Sequence, residues 1–596
     1  MLKKYKQEFI NEKMAFIKDY MKGQNAASSS KFDANANVVT KNIATMEYEL
    51  PKDIMIGVNR TMVSNKIEEL YGKDLALEYI RQIESHEIYV HDETSLKPYC
   101  VSINMYPFLH DGLTKLGGES KAPKHLASFC GSFINLIFAV ASQFAGAVAT
   151  VEFLMYFDYF AKKSFGDDYH TEHKETIQAF FESVVYSINQ PAAARGYQSV
   201  FWNITIYDEE YFNGMFGDFV FPDEHFTKPE WDSINQLQKM FMKWINKERE
   251  RSLLTFPVIT AAMLVDKEHG AVNKEFANFC AIELSEGNSF FIYQSDSVDS
   301  LASCCRLRNE LNDNEFSYSL GAGGVATGSI NVITMNMNRI IQKNIDLGEQ
   351  VDKIHKYQIA YRKIMDEFKE AKMLTVYDAG FITLDKQYLT LGINGLVEAA
   401  EFKGLTAGNN PEYKEFCSKL LKIIYDKNKA KRLETGYMFN TEFVPAENLG
   451  VKNAKWDKAD GLITKRDCYN SYFYAVEDEE CHVGDKFVVH GEQVTRYLDG
   501  GSALHLNLDD YLSKEQYLKL FNASAKEGCN YFCINVKVTV CNDCGHIHKK
   551  TLSQCVCCKS TNISHATRVI GYLKKVDSFS EARQTEHAIR HYHQDK

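Results

Sequence analysis

Two cysteine pairs near the C-terminus carry the clearest chemistry in this sequence. Cys541-Asn-Asp-Cys544 and Cys555-Val-Cys-Cys558 repeat a C-x-x-C spacing with ten residues between them. Each pair sets two thiolates on one tight turn, and two such turns facing each other form a tetrahedral four-sulfur cage suited to zinc. Gly545, directly after the first pair, suits the positive φ that such a turn needs. Cys557 could stand in for Cys555 or Cys558, but only 555 with 558 keeps the two-residue gap. A closed four-thiolate site holds shape and does no chemistry itself. The loop it leads into, ISHATRVIGYLKKV with Gly571 at its middle, therefore matters more. Further upstream, Cys304 and Cys305 stand in tandem before Arg306, at the end of a polar turn and ahead of a glycine-rich segment. Cys100 opens an apolar alternation in KPYCVSINMYPF. Taken singly, each has an ordinary reading: a turn glycine, and small buried hydrophobes.

The elements that must position these residues belong to one large α/β body. The 596 residues are 45% hydrophobic and 25% charged, with 10 Pro and no long low-complexity run, which disfavours small modules on flexible linkers. A net charge of −11 disfavours nonspecific binding to a polyanion, so no nucleic-acid partner is expected. The N-terminus lacks the apolar core of a signal peptide. The most apolar stretch, Phe133 to Phe157, carries Gln143 and Glu152 and reads as a buried helix pair, not a membrane span. Of the 15 Cys, seven lie between Cys529 and Cys558, a clustering that suits metal binding in the cytoplasm and not a secreted disulfide framework. Strand-like runs occur in HEIYVHDE, after Cys100, in SVFWNITIY, in LLTFPVITAAML, in GSINVITMN, in YMFNTEF and in SALHLNL; helical periodicity fills most of the rest, and 340–435 reads as helical and charged. The expected division is a helical lead-in over 1–50, a catalytic body over 51–535 and a zinc-binding C-terminal segment over 536–596.

RVIGYL, directly after a four-cysteine site and close to the C-terminus, resembles the glycyl-radical segment of anaerobic (class III) ribonucleotide reductases. ANANV, HDETSLKPYC, SQFAGA, RGYQSVFWN, SCCRL with the glycine-rich loop and INVITMNMNRI, and NTEFVPAEN match the same family in the same order over nearly the whole chain. The chemistry agrees: a stable main-chain carbon radical needs glycine, whose Cα can become planar between amide and carbonyl with no side chain to twist it. The resemblance implies a ten-stranded α/β barrel of two antiparallel five-stranded halves, with a finger loop through its centre. It implies a radical stored on Gly571 by a separate radical-SAM iron–sulfur activase, a thiyl on Cys305 with adjacent Cys304 as competitor, and Cys100 as the thiol that protonates the departing 2′-hydroxyl. Ribonucleoside triphosphates are the implied substrates, dNTP and ATP the effectors, and a homodimer the assembly.

Departures from the family pattern carry their own expectations. Relatives that draw electrons from a dithiol protein carry a further cysteine on the strand after the finger loop. TGSINVITMN has none, and Ser329 stands where formate-using relatives carry a polar amide. Formate is therefore the expected reductant, held by Ser329 with help from Asn331, unless Cys280 or Cys468 folds against Cys100. There is neither a P-loop nor a dinucleotide fingerprint; the PAENLG turn, with Pro445, Ala446, Glu447 and Asn448, is the first candidate for the triphosphate, and Gly500 to Ser502 the second. The lead-in is too short for an N-terminal nucleotide-binding cone, so no dATP shut-off by that route is expected. Other glycyl-radical enzymes, formate acetyltransferases or diol dehydratases, lack the four-cysteine site, and the acidic balance counts against a zinc-ribbon binding protein.

Overall fold

The computed structural model describes the chain except residues 1–5, 24–25, 31, 33–39, 192–195, 299, 304–306, 311–324, 444–447, 570 and 595–596. Ten strands build its centre: β1 (Cys100–Ser102), β2 (Val148–Ala149), β3 (Trp202–Tyr207), β4 (Val258–Asp266), β5 (Phe291–Ser295), β6 (Thr327–Asn336), β7 (Gln387–Asn394), β8 (Met438–Phe443), β9 (Leu504–Leu508) and β10 (Tyr531–Val536). β1 to β5 run parallel to one another in chain order. β6, β7 and β8 are parallel, as are β9 and β10. The two halves meet antiparallel at both seams, β1 against β6 and β5 against β10. Closure comes from a broken strand: Gly501–Ser502 pairs with β8, and after the single residue Ala503 the chain continues as β9 on β10. The expected barrel of two five-stranded halves is therefore present, each half parallel within itself.

Parallel strands need crossovers, and helices supply them on the outer face. Strand residues buried on both faces lose the polar alternation of a surface strand. β7, QYLTLGIN, is buried at all eight positions, which corrects the expectation that 340–435 is wholly helical. Around it, α4 (Leu347–Glu370) and α5 (Pro411–Thr435) are the helices that expectation did describe. The apolar stretch after Leu126 is a helix pair, α1 (Leu126–Gln143) and α2 (Phe153–Phe165). α1 is long and apolar enough to cross a membrane by length and composition, yet Phe133 of α1 and Phe153 of α2 pack on the fully buried Trp202 of β3. It is a core helix.

The C-terminal knob is a separate four-stranded sheet, ordered β12-β11-β13-β14, of β11 (Val538–Cys541), β12 (Ile547–His548), β13 (Ile563–Arg568) and β14 (Leu573–Lys575). It has a small apolar cluster of its own. The turn after β13 and its neighbour Tyr572 instead join the barrel's core.

Candidate active site

Alternation along the strands sorts the barrel wall into two faces. Trp202, Ile292 and Phe532 point outward to the helices, so their neighbours in sequence line the lumen. Cys100 and Ser329 are directly paired across the antiparallel seam and so share a face. Ser329 Oγ lies 2.8 Å from Thr390 Oγ1 on β7, and Thr390 is paired with Asn440 on β8. Cys100, Ser329, Thr390 and Asn440 thus form a polar row across four adjacent strands. The seam is tight: a Cβ at Gly328 would sit 2.2 Å from the Cys100 carbonyl oxygen, so only glycine lets β6 come this close. Gln387 Nε2 donates to that same carbonyl at 3.1 Å. Asn440 is fully buried, and neither amide atom has a partner among the described residues.

Asn331 does not join the row. A bulge at Ile330 pairs Ser329 with Tyr388 but Asn331 with Leu389, so the extra residue turns Asn331 to the opposite face. Only its carbonyl reaches Ser329, accepting from Oγ at 3.2 Å. Cys280 lies on an outer helix, Lys274–Ser285, and Cys468 packs against Gly450 and Arg583; neither is brought against Cys100. Burial pushes the Cys468 thiol up to about 12. The lumen does hold one cysteine that sequence reading passed over, Cys533 on β10. It is paired with Phe291 and His505, on the far wall from Cys100. The strand alternation of YFCINV was the available signal, masked by the dense cysteines that follow.

One mouth of the barrel gathers the remaining candidates. Gly571 is buried between β13 and β14. Tyr572 packs its ring on Phe201 and Phe256, at 5.3 and 5.8 Å, where β3 and β4 begin. The fully buried Arg590 holds the preceding carbonyls, donating from Nη2 to Val569 at 2.7 Å and from Nη1 to Arg568 at 3.3 Å. Asn448, which follows β8 at the same mouth, accepts from Ser580 Oγ at 2.8 Å. Gly500 is needed for barrel closure: a Cβ there would meet the Thr441 carbonyl at 2.6 Å. Cys304, Cys305, Pro445, Ala446 and Glu447 lie outside the described residues.

In the knob, the sulfurs of Cys541, Cys544, Cys555 and Cys558 all lie within 4.8 Å of one another. Cys541 and Cys558 are 3.5 Å apart, Cys544 and Cys555 3.6 Å. Tetrahedral sulfurs about 2.3 Å from a shared ion would be roughly 3.8 Å apart, so the four thiols could hold zinc without rearranging. Cys557 groups instead with His546 and His548. Gly545 takes φ +76°, as the turn requires.

A closed ten-stranded barrel and a cysteine knob that carries the Gly571 turn to its mouth thus make up the candidate site. The sequence matches the family model "Anaerobic ribonucleoside-triphosphate reductase" over residues 51–593. The chain belongs to that family and is an oxidoreductase. It is similar to a structure of an anaerobic ribonucleotide reductase at 27% identity, with a TM-score of 0.84 over 100% of this chain and 95% of that one. The Thermotoga maritima anaerobic ribonucleotide reductase with dATP in the specificity site is 28% identical, with a TM-score of 0.81 over 90% and 92% of the two chains. The same enzyme in complex with dATP and CTP is 28% identical, with a TM-score of 0.80 over 91% and 92%. Among curated proteins no sequence matches.

Proposed function

We propose that this enzyme reduces ribonucleoside triphosphates to 2′-deoxyribonucleoside triphosphates for DNA synthesis, with formate as reductant and with Gly571 and Cys305 as its radical residues. The observation that carries the reading is the hairpin holding Gly571, buried at the barrel mouth that opens onto Cys100 and Ser329. In this scheme the Gly571 Cα takes a hydrogen atom from the sulfur of Cys305, with Cys304 as the alternative, and the resulting thiyl takes the 3′-hydrogen of the ribose. Cys100 gives a proton to the 2′-hydroxyl, which departs as water. Formate supplies two electrons and leaves as CO₂, a proton from solvent restores Cys100, and hydrogen returns from Cys305 to C3′. The sum is ribonucleotide, formate and one proton going to deoxyribonucleotide, CO₂ and water. The protein's part is positioning and exclusion of solvent.

Ser329, already oriented by Thr390, would donate to the formate carboxylate. Asn448, with Pro445, Ala446 and Glu447, would meet the triphosphate at the turn after β8. Zinc in the four-cysteine cage would fix the knob's shape, and so the hairpin's register. Activation by a radical-SAM activase, dNTP and ATP effectors, a homodimer and a cytoplasmic location complete the proposal; the relatives carrying dATP and CTP support the nucleotide part. Anaerobic activation followed by CTP reduction with labelled formate tests it. Labelled CO₂ should appear in step with dCTP, and turnover that requires a dithiol protein instead would overturn the formate assignment.

A further inference from the structure

Arg249 and Arg568 are a pair of buried guanidiniums that the radical chemistry does not use. Arg249 follows α3 (Trp231–Glu248) and is 6% exposed; Arg568 ends β13 and is 3% exposed. A buried charge is ordinarily matched by an opposite one. Among the described residues no carboxylate lies within ion-pair distance of either. Arg249 instead donates to neutral acceptors: Nη1 to the Ser289 carbonyl at 2.8 Å and to Asn288 Oδ1 at 3.3 Å, Nε to the Leu254 carbonyl at 3.3 Å. Arg568 Nη1 donates to Ser289 Oγ, its Nε has no partner among the described residues, and its guanidinium sits 5.2 Å from the centre of the Phe291 ring. Burial, and then the charge of Arg568, lowers Arg249 to about 9; burial lowers Arg568 as well. Glu283, linked to Arg249 through the Asn288 amide, is itself raised by burial.

Both guanidiniums line a cavity of about 30 Å³ between barrel and knob, together with Asn288, Ser289, Tyr511 and Asn535. That volume admits two waters or one anion of three to five heavy atoms, and excludes a nucleotide. Lys549 stands at its rim, paired with Glu250 at 3.0 Å.

We propose that this cavity is a binding site for a small oxyanion, a carboxylate such as formate or a tetrahedral inorganic anion, held between the guanidiniums of Arg249 and Arg568. A guanidinium presents donors in a planar fork matched to such an anion. An anion here would join the barrel, through Arg249, to the strand that enters the Gly571 turn, through Arg568. It would replace a repulsion across the barrel–knob interface with a shared bond. The site is distinct from the Ser329 position, and because it is tested on resting protein it does not depend on the turnover scheme.

Hydrogen–deuterium exchange of the full-length, unactivated protein in sodium formate, sodium sulfate or sodium chloride at equal ionic strength tests the site. Formate, sulfate or both should slow exchange in Ile563–Lys575 and around Arg249, by about tenfold when the anion is at roughly nine times its dissociation constant, since protection scales as 1 + [L]/Kd. Chloride should not. A response to formate alone assigns a carboxylate site, and a response to both assigns a general oxyanion site. Arg249→Met should abolish the effect, and Arg249→Lys, which keeps charge but loses the fork, should weaken it if the methionine variant fails to fold. No localised protection in the wild type, an equal effect of chloride, or an unchanged response in Arg249→Met would each overturn the proposal.

Discussion

Arg590 offers the sharpest test of how the hairpin is held. It lies on the turn after α6 (Glu581–Ile589), has no exposed side-chain surface, and donates from Nε to Glu586 at 2.6 Å as well as to the carbonyls of Arg568 and Val569. Burial opposes its charge, but the Glu586 carboxylate beside it outweighs this and raises its pKa. Arg590→Met removes one member of a buried ion pair, which costs about 3–5 kcal/mol when the partner is left uncompensated. Here Arg583 still reaches Glu586 at 2.8 Å, so the lower end applies. Two main-chain carbonyls also lose their donor, at about 1 kcal/mol each once the loosened turn lets water in. The hairpin should therefore open more easily by about 5 kcal/mol, which is roughly a few thousandfold in an opening equilibrium. Hydrogen exchange read peptide by peptide should accelerate by that factor over Ile563–Lys575 while β3, β4 and β10 keep their protection. Arg590→Lys retains the charge and one donor direction and should accelerate exchange only about tenfold. Exchange within threefold of wild type in Arg590→Met, or acceleration spread evenly over the barrel, would refute the clamp.

Four further outcomes follow from the same geometry. Gly571→Ala should fold with a melting temperature within a few degrees of wild type yet show neither turnover nor oxygen-dependent chain cleavage after activation; residual turnover would remove Gly571 from the chemistry. One zinc per chain should co-purify, and chelation or Cys541→Ser should strip exchange protection from the knob while the barrel keeps its own, since structural zinc supplies folding energy outright; a metal-free knob with intact protection contradicts this. Ser329→Ala should raise KM for formate by about tenfold or more, the worth of one hydrogen bond to a charged group, and leave KM for CTP little changed; a matched rise in both would mean Ser329 only shapes the wall. Glu152 is raised to about 8 by burial, against the opposing hydrogen bond from the Met105 amide. The folded state thus holds a proton that the unfolded chain has lost above its ordinary carboxylate range, and stability must fall as pH rises from about 4.5 to 8. Glu152→Gln, whose amide oxygen can still accept from Met105, should match wild type at pH 4 and exceed it by a few kcal/mol at pH 8 by that linkage; a penalty equal at both pH values would contradict this.

Much of the site was legible because it depends on local chemistry. The two C-x-x-C turns, Gly545 and the position of Gly571 after them need no tertiary information, and the strands opening at Cys100, Trp202, Val258 and Thr327 announce themselves by β-branched and aromatic runs. β7 did not, because a strand buried on both faces between charged helices shows no alternation to separate it from a buried helix. Asn331 was misread for a different reason. A single extra residue at Ile330 reverses the face of everything after it, and nothing in SINV marks a bulge. Cys533 and the Arg249–Arg568 pair are products of long-range pairing, joining residues far apart in the chain through the antiparallel seam and the barrel–knob contact.

The way the last segment is anchored has a consequence for damaged molecules. Beyond position 571, Tyr572 is wedged among barrel aromatics, β14 is hydrogen-bonded to β13, and Arg590 grips carbonyls on the other side of the glycine. A backbone break at 571 would leave all of these bonds in place, so the severed tail would stay seated as a non-covalent subunit. Such a nicked enzyme would keep its hydrodynamic size and its cooperative melt, and the scission would surface only under denaturing conditions.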